Sequence, residues 1–390
     1  MEEVPPESRV ALSPLLRIVI GARSRTQSTK ELGTLRSRQK HFMNFLHINK
    51  LGKNVALTGF TLAVRNIIMA CYTAYLAAGN TLYCKTIKSG TIKRYLIAAA
   101  EFSVTAQMIN PCLNIMGKEC AYIKDILNES RRWESIPNRR EPLTKDMVQY
   151  IIDKGKTLSK VNPDNIYLAL GDWFILGLQA GFRRMEWAQD RAYLKKHKDI
   201  QRNIDGSSAA FILKDFEFRT KTNKRVDNTS NKEVGKASVT NLTWRFQKNL
   251  DNGQIISYIE DNENKNLCFV RASKRIRTRA LKLKIPHEQT IAVFIDTKKG
   301  TKKKCFIDNV HISTILQEAA SKVYNITSKE ELARFTSHSL RVGACVLLHA
   351  LNQSSEDIKF RLRWRSDSFR MYLRNIIQLA ERHRDAIRNA

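Results

Sequence analysis

"PDNIYLALGDWFILGLQAGFRRMEWAQD", residues 163–190, is the stretch on which the fold turns. From 163 to 180 it is apolar almost all round, a pattern a helix adopts when every face of it is buried. Gly181 then breaks the run, Arg183 follows two residues later, and Glu186 lies three beyond that. A guanidinium projecting just past a buried helix stands on a fixed base. A carboxylate in the next turn can orient it through paired hydrogen bonds. Taken alone, the same pair also fits an ordinary ion pair on a solvated surface.

Two further stretches raise the same question. In "FTSHSLRVGACVLL", residues 335–348, His338 and Arg341 fall one helical turn apart on one face. Ser337 or Ser339 is placed to cap that helix, and Val342, Ala344, Val346 and Leu347 continue into a core. By itself this describes a polar, solvent-facing helix start. In "RWRSDSFRMYLRN", residues 363–375, Tyr372 sits between Arg370 and Arg374. Phe369, Leu373, Ile376 and Ile377 supply the apolar stripe there, which leaves the tyrosine beside it in a basic setting.

Around these stretches the chain reads as two domains. Residues 1–40 form a basic, poorly ordered arm. Residues 41–130 form a helical module, with apolar positions at three- and four-residue steps in "ALTGFTLAVRNIIMACYTAYLAAG" and "SGTIKRYLIAAAEFSVTAQMI". Ser89 is the expected N-cap of the second segment. Lys85, Lys88, Lys93 and Arg94 line its polar faces. Residues 131–143, within "ESRRWESIPNRREPL", are a linker. The second domain spans 144–390 and opens with helices over 144–156 and 163–180. Three period-two segments follow, "AAFILKDFEFRT", "ASVTNLTWRFQ" and "QIISYI", the last two joined by "KNLDNG" in an expected hairpin. Lys221 and Lys224 fall in the polar, basic loop between the first two. From 267 onward the chain reads as helices, interrupted by the lysine-rich "DTKKGTKKKC". The fold class is therefore mainly α with a small antiparallel sheet.

Composition narrows the function. The formal charge of +30, from 67 Lys and Arg against 37 Asp and Glu in 390 residues, points to a polyanionic partner, nucleic acid first. The longest apolar runs are short of a bilayer span, and Asp172 interrupts one of them, so no membrane partner is expected. Seven scattered cysteines, the nearest pair being Cys112 and Cys120, show neither zinc spacing nor a disulfide scaffold and read as reduced thiols of an intracellular protein. The opening "MEEVPPES" lacks the regions of a secretory signal. Residues 9–40 share the acid-poor composition of an organelle transit peptide, although a solvated basic arm explains them better.

Three other motifs lead nowhere definite. Gly155-Lys156-Thr157 matches the tail of a phosphate-cradling loop, but Tyr150 stands where that loop needs glycine. His41 and His47 are too far apart to share a helical turn as metal ligands, and read as surface or interface residues. "TKKGTKKK" suits a nuclear-import signal, a phosphate-contacting loop or a plain solvated one.

In order and spacing, Gly181/Arg183/Glu186, Lys248 in the hairpin, His338/Arg341 and the terminal Tyr372 resemble the tyrosine recombinases and phage-type integrases. The resemblance covers about residues 144–390. The preceding helical module looks like that family's core-binding domain, and "RWRSDSFRMYLRN" resembles recombinases of eukaryotic Crypton-type mobile elements. The resemblance implies a two-domain enzyme that cleaves and rejoins double-stranded DNA through a 3′-phosphotyrosine, with no cofactor and no metal. It implies Tyr372 as nucleophile, Arg183 and Arg341 on the nonbridging oxygens, Glu186 in support, His338 on the phosphate or the nucleophile's proton, and Lys248 as acid for the leaving 5′-oxygen. It also implies a histidine or tryptophan nine residues before the nucleophile. Nine back from Tyr372 is Arg363, and Trp364 is eight back. Trp364 is the better candidate, because an indole N–H can donate to phosphate, and Arg363 is the alternative. Lys221 and Lys224 are lesser alternatives to Lys248. A homo-tetramer on DNA, built as a dimer of dimers, and a nuclear location complete the expectation. A catalytically silent DNA-binding descendant and a type IB topoisomerase-like nicking-closing enzyme are the competing readings.

Overall fold

The computed structural model describes residues 8, 29–81, 86–135, 139–203, 205–227, 230–247, 251–297, 301–373 and 388. The chain divides into two units, Met1–Pro137 and Asn138–Ala390. Helix and a little antiparallel sheet make up the described structure. Among the described residues no helix is long and apolar enough to cross a membrane.

The described elements of the first unit are helices, α1 (Thr29–Ile48), α2 (Leu62–Ala77), α3 (Ser89–Gln107) and α4 (Ala121–Arg132). Its core joins Phe42, Phe45, Met69, Tyr72, Leu96, Ile123 and Leu127. Three sequence expectations change here. Residues 29–40 are not an arm but the first part of α1. His41 is buried rather than at the surface, with Nδ1 2.9 Å from the Tyr72 hydroxyl and Nε2 3.0 Å from the Asn80 carbonyl. Ser89 is the first helical residue, not the cap, and its N–H is taken at 2.5 Å by the Glu134 carboxylate, 45 residues downstream.

The second unit opens with α5 (Lys145–Ser159), capped by the Thr144 hydroxyl, and α6 (Ile166–Ala180), capped by the Asn165 side chain. Gly155, Lys156 and Thr157 lie inside α5, so no phosphate-wrapping loop exists there. Helix α6 is the axis of the core, with Trp173, Phe174 and Leu176 fully enclosed. Its one charge, Asp172, is held by Arg275 at 2.6 Å and Arg279 at 2.8 Å. A buried carboxylate with two guanidiniums is tolerable where a lone one is not. The short helices α7 (Arg184–Trp187) and α8 (Arg191–His197) follow.

Strands β1 (Phe216–Arg219), β2 (Val239–Trp244) and β3 (Gln254–Ile259) form an antiparallel sheet in that order, with the short helix α9 (Asn231–Gly235) between the first two. Alternate residues Phe216, Phe218, Leu242, Trp244, Ile256 and Tyr258 face the core, as period two requires. Helix α10 (Phe269–Lys282) supplies the arginines for Asp172. The stretch after it is not purely helical. The lysine-rich interruption is a two-stranded ribbon, β4 (Val293–Asp296) with β5 (Lys303–Phe306). Helices α11 (Asn309–Tyr324), α12 (Lys329–Leu332), α13 (Ser339–Ala350) and α14 (Ser355–Leu362) close the unit, followed by a 3-10 turn over Asp367–Tyr372.

Candidate active site

Gly181 ends α6 in the left-handed region (φ 57°, ψ 48°), its N–H on the Gly177 carbonyl at 2.8 Å. That turn, cheap for glycine, sends Arg183 and Glu186 back over the end of α6. Glu186 is buried. Its carboxylate accepts the Arg183 backbone N–H at 2.9 Å, the Arg183 guanidinium at 3.0 Å and the Arg363 guanidinium at 2.9 Å. The neighbouring Arg184 turns outward to Asp190 at 3.0 Å, so only the first arginine of the pair joins the cluster.

Helix α13 crosses α6 at close range and delivers Arg341, whose Nη1 donates to the Gly181 carbonyl at 2.8 Å. The Arg341 guanidinium lies 4.2 Å from the Trp364 ring centre. Its Nη2 and the Trp364 indole N–H are both buried with no acceptor among the described residues. His338, not Ser337 or Ser339, occupies the N-cap position of α13, without a side-chain capping bond, and the Ser339 hydroxyl accepts the Thr336 N–H at 3.0 Å. From that position His338 Nε2 lies 2.8 Å from the Tyr372 hydroxyl. The Tyr372 ring meets both His338 and Trp364 edge to face, at 5.5 and 5.8 Å between ring centres. It ends a 3-10 turn and is half-buried, with Phe369 anchoring the turn. Ile376, Ile377 and Arg374 lie outside the described residues.

Arg363 and Trp364 divide the work. Arg363 occupies the left-handed region (φ 57°) at the end of α14, which swings the two successive side chains apart. Arg363 goes inward, bonding the Ala180 carbonyl at 3.1 Å as well as Glu186 and stacking 4.0 Å from the Trp244 ring centre. Trp364 goes to the tyrosine. The structure thus brings Arg183, Glu186, His338, Arg341, Arg363, Trp364 and Tyr372 into one cluster.

The electrostatics follow from crowding. Burial, then Arg183 and Arg363, push the Arg341 guanidinium down to about 9, so it remains protonated at neutral pH. Burial alone would raise the Glu186 carboxyl, yet Arg363, Arg183 and the Arg183 amide hold it below the usual range. Packing, then Arg341 and Arg140, lower the His338 pKa and keep its ring neutral, although one edge is open to solvent. Burial raises the Tyr372 phenol, against the pull of Arg341. Three guanidiniums face one carboxylate, which leaves the cluster two positive charges in excess.

Lys248 lies outside the described residues, but the ends of its hairpin do not. The loop joining β2 to β3 turns through Gly253 (φ 83°), with the Gln247 N–H on Asn252 at 2.7 Å. Arg365 donates from Nε to Asp251 at 3.1 Å, tying that loop to the segment beside Trp364. Lys221 and Lys224 are exposed at the opposite end of the sheet, beyond β1, and are not brought to the cluster. In the first unit Lys88 and Arg94 are exposed, Lys93 pairs with Glu119 at 2.9 Å, and Lys85 lies outside the described residues. No local signal points to the Gly181 carbonyl as the anchor of Arg341, because the two are 160 residues apart.

No family model and no curated protein matches the chain. Solved structures of the Tn1549 transposon integrase do. One, in complex with circular intermediate DNA, is 12% identical over 86% of this chain and 94% of that one, with a TM-score of 0.36. Another, in complex with transposon right end DNA, is 11% identical over 90% and 99%, with a TM-score of 0.40.

Proposed function

We propose that this protein breaks and rejoins DNA strands as a tyrosine recombinase. The contact between the Tyr372 hydroxyl and His338 Nε2 at 2.8 Å, beside three clustered guanidiniums, carries that proposal. A phenol with a raised pKa is a poor nucleophile until a base takes its proton. A neutral imidazole at hydrogen-bond distance is that base. The Tyr372 oxygen attacks the phosphorus of a phosphodiester as its proton passes to His338 Nε2. A tyrosyl–phosphorus bond forms, the bond to the 5′-oxygen breaks, and the departing oxygen takes a proton from a general acid, the role the family resemblance gives Lys248. Attack by a 5′-hydroxyl from another strand reverses the sequence and conserves the phosphodiester's energy.

The charge balance supports this chemistry. A pentacoordinate phosphorane carries about two negative charges, and the cluster offers two in excess of its carboxylate. Fixed donors aimed at developing charge are the largest single source of catalysis in such sites. The Trp364 N–H, buried without an acceptor among the described residues, costs about 1–3 kcal/mol unpaired and the charged Arg341 Nη2 more, and phosphate oxygens would relieve that. Integration or excision of a mobile element, assembly of four protomers on DNA and a nuclear location are parts of the same proposal.

The test is a nicked suicide duplex, which traps the covalent species, followed by denaturing electrophoresis. Wild type is expected to form a protein–DNA adduct, and Tyr372→Phe to form none while still binding duplex. Adducts that persist in Tyr372→Phe would move the nucleophile elsewhere. No adduct from wild type despite binding would favour the catalytically silent reading, and relaxation of any supercoiled plasmid would favour the nicking-closing one.

A further inference from the structure

The β4–β5 ribbon has no part in the cluster described above, and it is built to reach outward. Its base is anchored: Ala292, Val293, Phe294 and Ile307 are buried, and the Ile307 N–H bonds the Ala292 carbonyl at 2.8 Å. Away from that base, Lys302, Lys303 and Lys304 are exposed in succession. Lys303 and Lys304 are successive strand residues, which point to opposite faces, and both are exposed.

Lysines gather around it. The Lys304 ammonium reaches the Leu283 carbonyl at 3.1 Å, which sets the ribbon beside Lys282 and Lys284 at the end of α10. Ile295 of β4 bonds Asp164 at 2.8 Å and Asn162 at 2.8 Å, which brings in Lys160 two residues upstream. Asp164 and Asp296 lie among these six lysines, and Asp164 is already paired with Lys282 at 2.6 Å. The basic helix α10 is different, since its Arg275 and Arg279 are committed to Asp172.

Position gives the patch its meaning. The ribbon packs on residues 162–164, before the N-terminus of α6, whereas Arg183 and Arg341 sit at its C-terminus. Helix α6 has 15 residues, about 22 Å at 1.5 Å per residue. The lysines therefore stand well away from the scissile phosphate. We infer that the β4–β5 ribbon is a second DNA-backbone contact, engaging duplex away from the reacting linkage. A two-stranded ribbon fits the major groove of B-DNA, and lysine suits phosphate as a point charge without base specificity. Strand pairing of Lys303 and Lys304 with Asp296 and Ile295 fixes where these lysines stand on the ribbon.

This inference rests on the DNA reading above, and one experiment separates the two. Binding of the full chain to a 40-base-pair duplex is followed by fluorescence anisotropy across a salt series. The comparison is among wild type, the triple variant Lys302→Gln/Lys303→Gln/Lys304→Gln and the triple variant with arginine at the same positions. Removing one phosphate contact lowers the slope of log affinity against log salt by about 0.9. The glutamine variant is expected to lose about 1–3 from that slope, and the arginine variant nothing. Equal slopes and affinities for wild type and the glutamine variant would overturn the ribbon's role and leave the catalytic proposal standing. An equal loss in the arginine variant would also overturn it, as a structural effect. A wild type that binds no duplex would overturn the DNA reading itself.

Discussion

Tyr372 and His338 meet at 2.8 Å although 34 residues separate them, and the contact needs three separate elements. Helix α13 presents the imidazole, the 3-10 turn after α14 presents the phenol, and Trp364 fills the angle between Tyr372 and Arg341. Nothing in either local sequence demands that the two side chains touch.

That contact predicts a pH dependence. His338 works as a base only when neutral, and its folded pKa lies below the ordinary value of about 6.5. The single-turnover rate of adduct formation should therefore be flat through neutral pH and fall only on acidification through that lowered pKa. His338→Gln should slow cleavage by about 10²–10⁴-fold and abolish the acidic limb. An unchanged limb in the variant would assign the titration to another group.

Arg341 predicts a sharper discrimination. Its guanidinium donates to the Gly181 carbonyl and lies over the Trp364 ring at once. A lysine at this position keeps the charge but cannot do both. Arg341→Lys should therefore lose about 10²–10³ in cleavage rate, roughly 3–4 kcal/mol, with duplex affinity nearly unchanged. Anisotropy and single-turnover kinetics on one preparation measure the two quantities.

Much of this cluster is legible in the sequence because its signals are local. A helix apolar almost all round and ended by Gly181 fixes where Arg183 points, and an i, i+3 step joins His338 to Arg341. The choice between Arg363 and Trp364 is not legible by counting. The left-handed backbone at Arg363 sends one side chain into the core and the next to the tyrosine, and residue spacing carries no φ angle. The ribbon is hidden because four-residue strands interrupted by lysines show neither alternation nor a turn dipeptide. Ser89 reads as a cap because the true acceptor, Glu134, lies 45 residues away. His41 reads as a surface or interface residue because a polar ring is buried in a core only when partners such as Tyr72 and Asn80 exist.

Glu186 predicts a stability effect distinct from catalysis. It is the carboxylate that binds both Arg183 and Arg363, and removing one partner of a buried ion pair costs about 3–5 kcal/mol. Glu186→Gln should lower the melting temperature by roughly 10 °C. Sulfate, an anion that can occupy the uncompensated cluster, should restore part of the loss in the variant and do less for wild type. Equal responses to sulfate would show that the arginines are neutralised elsewhere.

In the first unit, burial lowers the His41 pKa, against the raising effect of its bond to Asn80. The unfolded chain then binds the proton more readily, so stability rises with pH. The His41 contribution is complete above about 6.5 and is lost as pH falls from there towards the folded value. Melting curves of the full chain between about pH 5 and 8, buffer ranges set by that titration, should show the loss, and His41→Gln should flatten it.

Gly343 links packing to chemistry. A Cβ at this position would lie 2.2 Å from the Leu143 carbonyl oxygen and 3.0 Å from its nitrogen, both backbone atoms. The same segment is fastened to α13 by the Leu143 N–H on the Ser339 carbonyl at 2.9 Å. Alanine must therefore push α13 away from residue 143, and α13 carries Arg341 with His338 at its head. Overpacking of this kind costs about 1–3 kcal/mol, and a displacement near 1 Å at a reacting centre costs about 10² in rate. Gly343→Ala should lower both melting temperature and cleavage rate. Gly90→Ala is the contrast: its Cβ would meet nothing within 4 Å, and it lies inside α3. Gly90 is the second residue of that helix, so alanine should leave stability unchanged or raise it by less than the about 0.5–1 kcal/mol of a mid-helix glycine, with cleavage intact. Equal behaviour of the two variants would show that the close approach at residue 143 does not hold α13 in place.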